Sequence, residues 1–570
     1  MLSTKPHSKF WFYLFAFSLA LSWILPNHAL PWRSFHKDLW ILMWLICASI
    51  WILFASEDPL VLTKSSLVII TSSLIPIFQY KFNLIATFGQ AVISSGYVLA
   101  CGTALFIAQQ PLQKNNYYLV HCLFIGIGVA CVLCFSIQTA QWLSIYDDNL
   151  LTIIGFFILP IANGDRPSAN LLQPNLLATL FIWGVIAGFW GYLHKVFHHI
   201  LLIPYLMCIS FGLALTQSRI GIVELFVLTA VMWFWRKHLP GKKCFYVCVA
   251  LTCQTVLLYF FLPTLSTHLN NLDTSRNYAS LFQDNVRITA YQIFFDAIWQ
   301  RPWFGYGMSN LNNAYLELAS TQIDQSLNFN HSHNLVLDLT LWLGVPLGTL
   351  FIGGFIYWLR LAITSVADVR QATLLAAVVS FAMHTIVELP HQYAIYLVPL
   401  FIFVGSIKTC DINKSTCKIT RNVALFVTAS LAVVILTTAR DYLRYEEYYS
   451  AWLFERQKIG RLTKAAQPRL LVLHQLDNVM TLQRMLPQPN ETQENLKWMH
   501  FAVRGEPSQV AYFNYVVAMA LNGNRDEAVL WMHKINVTYD ANDIKVIYKA
   551  WAANQKKYPQ IADLKWVKKR

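Results

Sequence analysis

Long apolar runs separated by short polar breaks fill the first 440 positions of the chain. Runs near 10–26, 38–55, 61–79, 84–108, 117–142, 175–193 and 198–216 are followed by others near 220–235, 244–262, 334–359, 371–388, 392–409 and 422–439. About 20 such residues suffice to cross the hydrocarbon core of a bilayer. Only helices or closed barrels satisfy all backbone polar groups there, and these runs are too long and too uniformly apolar for barrel strands. The pattern therefore predicts an all-α polytopic membrane protein with about thirteen transmembrane helices. Composition agrees, with 56% hydrophobic and only 13% charged residues, where soluble domains carry roughly 25% charged. Pro26, Asn27 and Trp32 follow the first run where a signal peptide would have small residues, so the run is read as uncleaved.

Basic residues set the orientation. The short segment Arg236-Lys237-His238-Leu239-Pro240-Gly241-Lys242-Lys243 belongs in the cytoplasm, as do the loops marked by Lys408, Lys414, Lys418 and Arg421 and by Arg360 and Arg370. With thirteen crossings, the amino terminus with Lys5 and Lys9 is cytoplasmic and the carboxyl end lies outside. Cysteine usage points the same way. All 11 cysteines fall in expected spans or cytoplasmic loops, as suits an oxidising outer compartment. Cys131-Val132-Leu133-Cys134 sits within an apolar run and reads as core packing. The net charge of +14 comes mostly from loop lysines. No basic stripe with interleaved aromatics accompanies it, so nucleic acid is excluded as a partner and membrane lipid is the expected one.

Three regions break the membrane pattern, all on the outer side: 143–174, 263–333, and the tail after Arg440. Long loops in a compact protein are usually functional. The first ends in Arg166-Pro167-Ser168-Ala169-Asn170-Leu171-Leu172-Gln173-Pro174-Asn175. The second predicts a helix from about Asp284 to Trp299, followed by Gly305-Tyr306-Gly307. Arg287 falls in that helix's first turn, where a cation opposes the dipole at a cost of roughly 0.3–1 kcal/mol. An anion bound to both the guanidinium and the helix terminus removes the conflict; a solvated surface arginine is the alternative. Arg219 stands between two apolar runs in Gln217-Ser218-Arg219-Ile220-Gly221, either to bind an anion or to snorkel to the headgroups. The second loop closes on His331-Ser332-His333-Asn334. Histidine suits proton transfer near neutral pH. A His-x-His pair can also bind a transition metal, but no cysteine or carboxylate constellation completes a site, so no metal is expected. Glu388, in His384-Thr385-Ile386-Val387-Glu388-Leu389-Pro390-His391-Gln392-Tyr393, reads as a buried acid at a hairpin turn on the same face, and intramembrane ionisable residues are functional candidates by default.

The ordered set of Arg with Gln-Pro-Asn, Ser-Arg-x-Gly, Arg with Gly-x-Gly, His-x-His-Asn and Glu-x-Pro-x-x-Tyr resembles the bacterial protein O-oligosaccharyltransferases of the PglL type. These group with the O-antigen ligases (WaaL) and the Wzy polymerases. The resemblance covers roughly residues 10–440, and Gln173-Pro174-Asn175 with Glu388-x-Pro390 tilts it towards the protein-modifying branch. One departure is the absence of a glycine between Arg166 and Gln173. The resemblance implies a GT-C-like O-antigen ligase fold in the bacterial inner membrane. It further implies inverting transfer of a glycan from undecaprenyl diphosphate to a hydroxyl outside the cytoplasm, with no cofactor. Arg219 and Arg287, with Arg166, would hold the diphosphate. His333 would take the hydroxyl proton, aided by His331, and Gln173, Asn175, Asn334, Glu388 and Tyr393 would support them. Acceptors would be pilin or other periplasmic or secreted proteins; lipid A core and a growing glycan are the alternatives within the same class.

The expected division is a transmembrane catalytic domain over 1–440 and a periplasmic helical domain over 441–570. Within the latter, the segment 511–535 resembles half of a tetratricopeptide repeat, and the domain is expected to contact the acceptor protein. A transporter of lipid-linked anions would share the spans and arginines. It is disfavoured because no repeated halves or matched broken helices are found.

Overall fold

The computed structural model describes residues 6–28, 30–145, 157–161, 165–196, 198–236, 243–270, 285–319, 331–409, 416–459 and 466–567. The remainder of the outer loops 143–174 and 263–333, and the basic segment 237–242, lie outside the described residues. Among the described residues, seven helices are long and apolar enough to cross a membrane: Phe35–Ala55, Phe88–Ala108, Tyr118–Trp142, Pro174–Leu193, Cys244–His268, Leu335–Thr364 and Arg421–Arg456. The chain is a multi-pass membrane protein, and its architecture is mostly helical.

Five further expected spans fall on shorter helices: Pro6–Ser18, His199–Leu215, Arg219–Phe234, Val369–Thr385 and Ala394–Ser406. The run at 61–79 differs from expectation. Instead of one helix it forms a strand, Leu60–Thr63, and two short helices, Lys64–Ser72 and Ile75–Lys81. The strand pairs antiparallel with Thr416–Ile419, so a small two-stranded sheet interrupts the all-α architecture. A partner more than three hundred residues away captures the backbone of its first few residues. The helix expected to end near 439 continues to Arg456, so Arg440 lies inside a helix rather than at the start of the tail. In the second loop, the helix expected from about Asp284 is Asn285–Gln300.

Contacts divide the chain into two units. The first comprises residues 1–72, 97–283 and 354–435. At its centre is Pro174–Leu193, whose residues from Leu176 to Gly191 are all buried. It packs against Tyr118–Trp142, His199–Leu215, Arg219–Phe234 and Val369–Thr385. A helix apolar all round belongs in such an interior position. Irregular backbone leading into it is satisfied by buried amides. Gln141 accepts from the Ser168 and Ala169 N–H groups at 3.2 and 2.8 Å, and Asn170 donates to the Ile24 and Phe157 carbonyls, each at 2.7 Å. Without such partners each orphaned backbone group would cost several kcal/mol in an apolar surround.

The second unit gathers residues 73–96, 284–353 and 436–570. Its tail carries consecutive helices His474–Arg484, Gln493–Gly505, Gln509–Leu521, Arg525–Thr538 and Ala541–Lys557. Thr492, Ser508 and Asp540 cap three of them by accepting N–H bonds in the first turn, each cap contributing typically about 1 kcal/mol. Tyr512, Tyr515, Trp531, Met499 and Ala518 fill the core between them.

Candidate active site

In the first unit, three separated motifs converge on Asn175. Gln173 is the N-cap position of Pro174–Leu193, and Pro174 occupies the first turn, where its missing N–H costs nothing. That places Asn175 at the head of the helix. Its Nδ2 donates to Glu388 Oε1 at 2.9 Å, and its Oδ1 accepts from Ser218 Oγ at 2.8 Å. Ser218 in turn caps Arg219–Phe234, accepting from Gly221 N at 3.3 Å. Arg219 is therefore the first residue of a capped helix, and it is exposed. Gly221 is required for this approach: a Cβ there would lie 2.7 Å from the Ala178 Cβ. Tyr393, half-buried, is the N-cap position of Ala394–Ser406.

A second polar tier lies one turn further along the same helices. Thr179 Oγ1 lies 3.0 and 3.1 Å from the two oxygens of Glu224 and also bonds His384 Nδ1. His384 Nδ1 and Glu224 Oε1 are 3.8 Å apart. A hydroxyl has one proton, so the consistent chain runs from His384 N–H to Thr179 and from Thr179 O–H to the Glu224 carboxylate. Burying an acid in an apolar bundle is costly unless it is hydrogen-bonded, and this tier supplies the partners. Asp38 is used similarly. It accepts from Ser34 Oγ at 2.6 Å, Tyr97 OH at 2.9 Å and Ile395 N at 3.3 Å, thereby fixing the turn after Tyr393.

Arg166 has a partner that the sequence did not suggest. Its Nη1 donates to the carbonyls of Thr216 and Gln217 at 3.2 and 3.0 Å. A guanidinium there satisfies the carboxyl end of His199–Leu215 and steadies the corner that presents Arg219.

In the second unit, His331, Ser332, His333 and Asn334 lead into Leu335–Thr364. Asn334 Oδ1 accepts from Val336 N and Leu337 N at 2.9 and 3.2 Å, the geometry of an N-cap. Ser332 Oγ bonds Asp338 one turn into the helix. Between them His333 adopts φ 56°, a left-handed conformation that histidine tolerates better than most residues. Its side chain is half-buried. The Gly-x-Gly segment has a packing role. Tyr306 N donates to Leu341 O and Val345 N to Pro302 O, each at 2.7 Å. Gly305 (φ +67°) and Gly344 (φ +76°) face this contact; a Cβ on either would come within 2.3 Å of a carbonyl oxygen. Arg287 is the third residue of Asn285–Gln300.

The structure thus unites Arg166, Gln173, Asn175, Arg219, Glu388 and Tyr393 in one unit and His331, His333, Asn334 and Arg287 in the other. Sequence reasoning missed Thr179, Glu224, His384 and Asp38 as members of these networks. An acid alone in an apolar run, as at Asp38 and Glu224, was the available signal. Among the described residues no three His, Cys, Asp or Glu side chains gather as metal ligands would.

Residues 204–352 match the O-antigen ligase family, and residues 372–553 match the family described as the C-terminal region of virulence factor membrane-bound polymerases. A general O-oligosaccharyltransferase of Acinetobacter baylyi is 25% identical over 456 residues, covering 76% of each chain. A ComP-specific O-oligosaccharyltransferase of the same organism is 24% identical over 293 residues, covering 50% of this chain and 52% of that protein. Together these likenesses, to O-antigen ligases over 204–352 and to an O-oligosaccharyltransferase over most of the chain, mark the class of protein as an oligosaccharyltransferase. It is similar to the PglL-type enzymes of the O-antigen ligase superfamily.

Proposed function

We propose that the protein moves a preassembled oligosaccharide from undecaprenyl diphosphate to serine or threonine hydroxyls of proteins outside the cytoplasm. The observation that carries this reading is the bridge from Ser218 through Asn175 to Glu388, which fixes Arg219 at the head of a capped helix. The acceptor oxygen attacks the anomeric carbon as the bond from that carbon to the diphosphate oxygen breaks. Arg219 and Arg287 neutralise the departing diphosphate, for which a planar, bidentate donor is suited. His333 takes the hydroxyl proton, with its backbone held by Asn334 and Ser332. His331 supports it, and Gln173, Glu388 and Tyr393 line the donor side.

In this reading the chain crosses the bacterial inner membrane about thirteen times, with the amino terminus cytoplasmic. The histidine turn and a tetratricopeptide-like tail over 441–570 face the periplasm. Mass spectrometry of periplasmic proteins from cells with and without the gene tests the function. Glycopeptides that vanish on deletion support it. Unchanged glycopeptides with loss of lipopolysaccharide laddering overturn it in favour of ligation to lipid A core.

A further inference from the structure

We propose that the second unit holds a receptor pocket for an acidic side chain of the acceptor polypeptide, built by Arg504 and Lys534. This rests on the protein-glycosylating reading above and names what the tail contributes to it. A cavity of about 270 Å³ opens among Arg301, Glu317, His500, Arg504, Trp531 and Lys534. Its residues come from the outer-loop helix Leu311–Ala319, from Gln493–Gly505 and from Arg525–Thr538, with Arg301 just after Asn285–Gln300.

The charges around it do not balance. Arg301 is engaged, its Nη2 lying 2.8 Å from Glu317 Oε1. Glu527, the nearby acid, is also committed: its Oε1 accepts from Tyr515 OH at 3.1 Å and Trp531 Nε1 at 3.0 Å and lies 3.3 Å from His500 Nδ1. Among the described residues no carboxylate forms an ion pair with Arg504 or Lys534. Burial, reinforced by Arg504, holds the Lys534 ammonium below its ordinary value despite Glu527 and Glu317. A cation in that condition gains from an incoming anion.

The backbone of one cation and the side chain of the other are held in place. Asn313 Nδ2 donates to the Arg504 carbonyl at 3.2 Å. The Lys534 Nζ sits 4.6 Å over the Trp531 ring, and that ring is wedged between Tyr512 and Tyr515 at 5.1 and 5.3 Å. A fork-shaped guanidinium beside an ammonium matches a carboxylate. The cavity suits a single side chain rather than a lipid diphosphate with its sugars. Stacked helices of this kind present surfaces for polypeptides, and the histidine turn belongs to the same unit.

The test uses the full-length protein in lipid nanodiscs and two fluorescein-labelled peptides. One carries a serine flanked by aspartates, the other asparagines at those positions. Without donor, anisotropy should show the aspartate peptide bound about tenfold more tightly, an advantage that fades with salt. Arg504→Gln with Lys534→Gln should erase the preference, while Arg504→Lys, which keeps the charge, should retain much of it. With donor present, the double variant should raise KM for the aspartate peptide and leave kcat unchanged. Equal binding of both peptides by the wild type overturns the proposal. So does a variant that weakens use of the lipid-linked donor instead, since the pocket would then serve a carboxylate on the glycan. Loss of all turnover with the aspartate preference intact counts against the transferase reading and leaves the pocket standing.

Discussion

The Asn175 cluster and the histidine turn are held by different means. Around Asn175, side chains from a helix, a helix cap and a bend hold one another, and a second tier of Thr179, Glu224 and His384 from three helices lies beneath them. Among the described residues, the turn at His331–Asn334 is held by an N-cap, by Ser332 bonding the Asn334 backbone and by a contact from Ser332 to Asp338. The first arrangement fixes where a charged group stands relative to a packed bundle. The second fixes the backbone that carries the imidazole. Substitutions in the first should therefore act through position and stability together, and in the second through chemistry with little change in stability.

The largest effect should come from the turn. His333→Ala should reduce transfer by about 10²–10⁴-fold, the usual contribution of general acid–base catalysis, while thermal unfolding in detergent stays near the wild type. His331→Ala should be milder. A parallel fall in melting temperature would dissolve the contrast between the two regions.

Asn175→Ala should lower both transfer and stability. It removes a partner of a buried carboxylate, at a cost of about 1–3 kcal/mol. Asn175→Asp should be worse, because it sets a second carboxyl group against Glu388. Gly221→Val probes the same region without touching a polar atom. Its side chain would collide with Ala178, and overpacking of this kind costs typically 1–3 kcal/mol. If thermal melts show no loss for Gly221→Val, the helices approach less closely than described.

Smaller effects sharpen the picture. Asn334→Ala should cost about 1 kcal/mol as a lost cap, with Asn334→Asp or Asn334→Ser restoring most of it. In the tail, burial pushes the Glu506 carboxyl from 4.5 up to about 7. The folded state then holds a proton that the unfolded chain releases earlier, so this group's contribution is full below about 4.5 and is lost as pH rises to about 7. Glu506→Gln should flatten that part of the melting-temperature profile.

Much of the candidate site was legible in the sequence because its polar residues interrupt apolar runs. Gln173-Pro174-Asn175, Ser218-Arg219 and Glu388 stand out for that reason, and the structure brings them together. Their deeper neighbours did not stand out, since a lone Thr179 or His384 shows its partner only after three helices have packed. The resemblance puts Arg166 with the diphosphate ligands; its bonds to two helix-end carbonyls depend on a corner that no local pattern announces. The strand at Leu60–Thr63 was hidden similarly, because pairing with Thr416–Ile419 is remote in sequence. The end of the last long helix was not legible for the opposite reason: nothing local breaks it between Arg440 and Arg456.

The central claim is a division of labour, with Arg219 on the donor and His333 on the acceptor. It is tested most directly by equilibrium binding of undecaprenyl-diphosphate-linked oligosaccharide to nanodisc-embedded wild type, Arg219→Ala and His333→Ala, with transfer measured on the same samples. The account predicts that Arg219→Ala loses donor binding and transfer together, whereas His333→Ala binds donor as the wild type does and fails to transfer it. Donor binding that survives in Arg219→Ala, or collapses in His333→Ala, would contradict it.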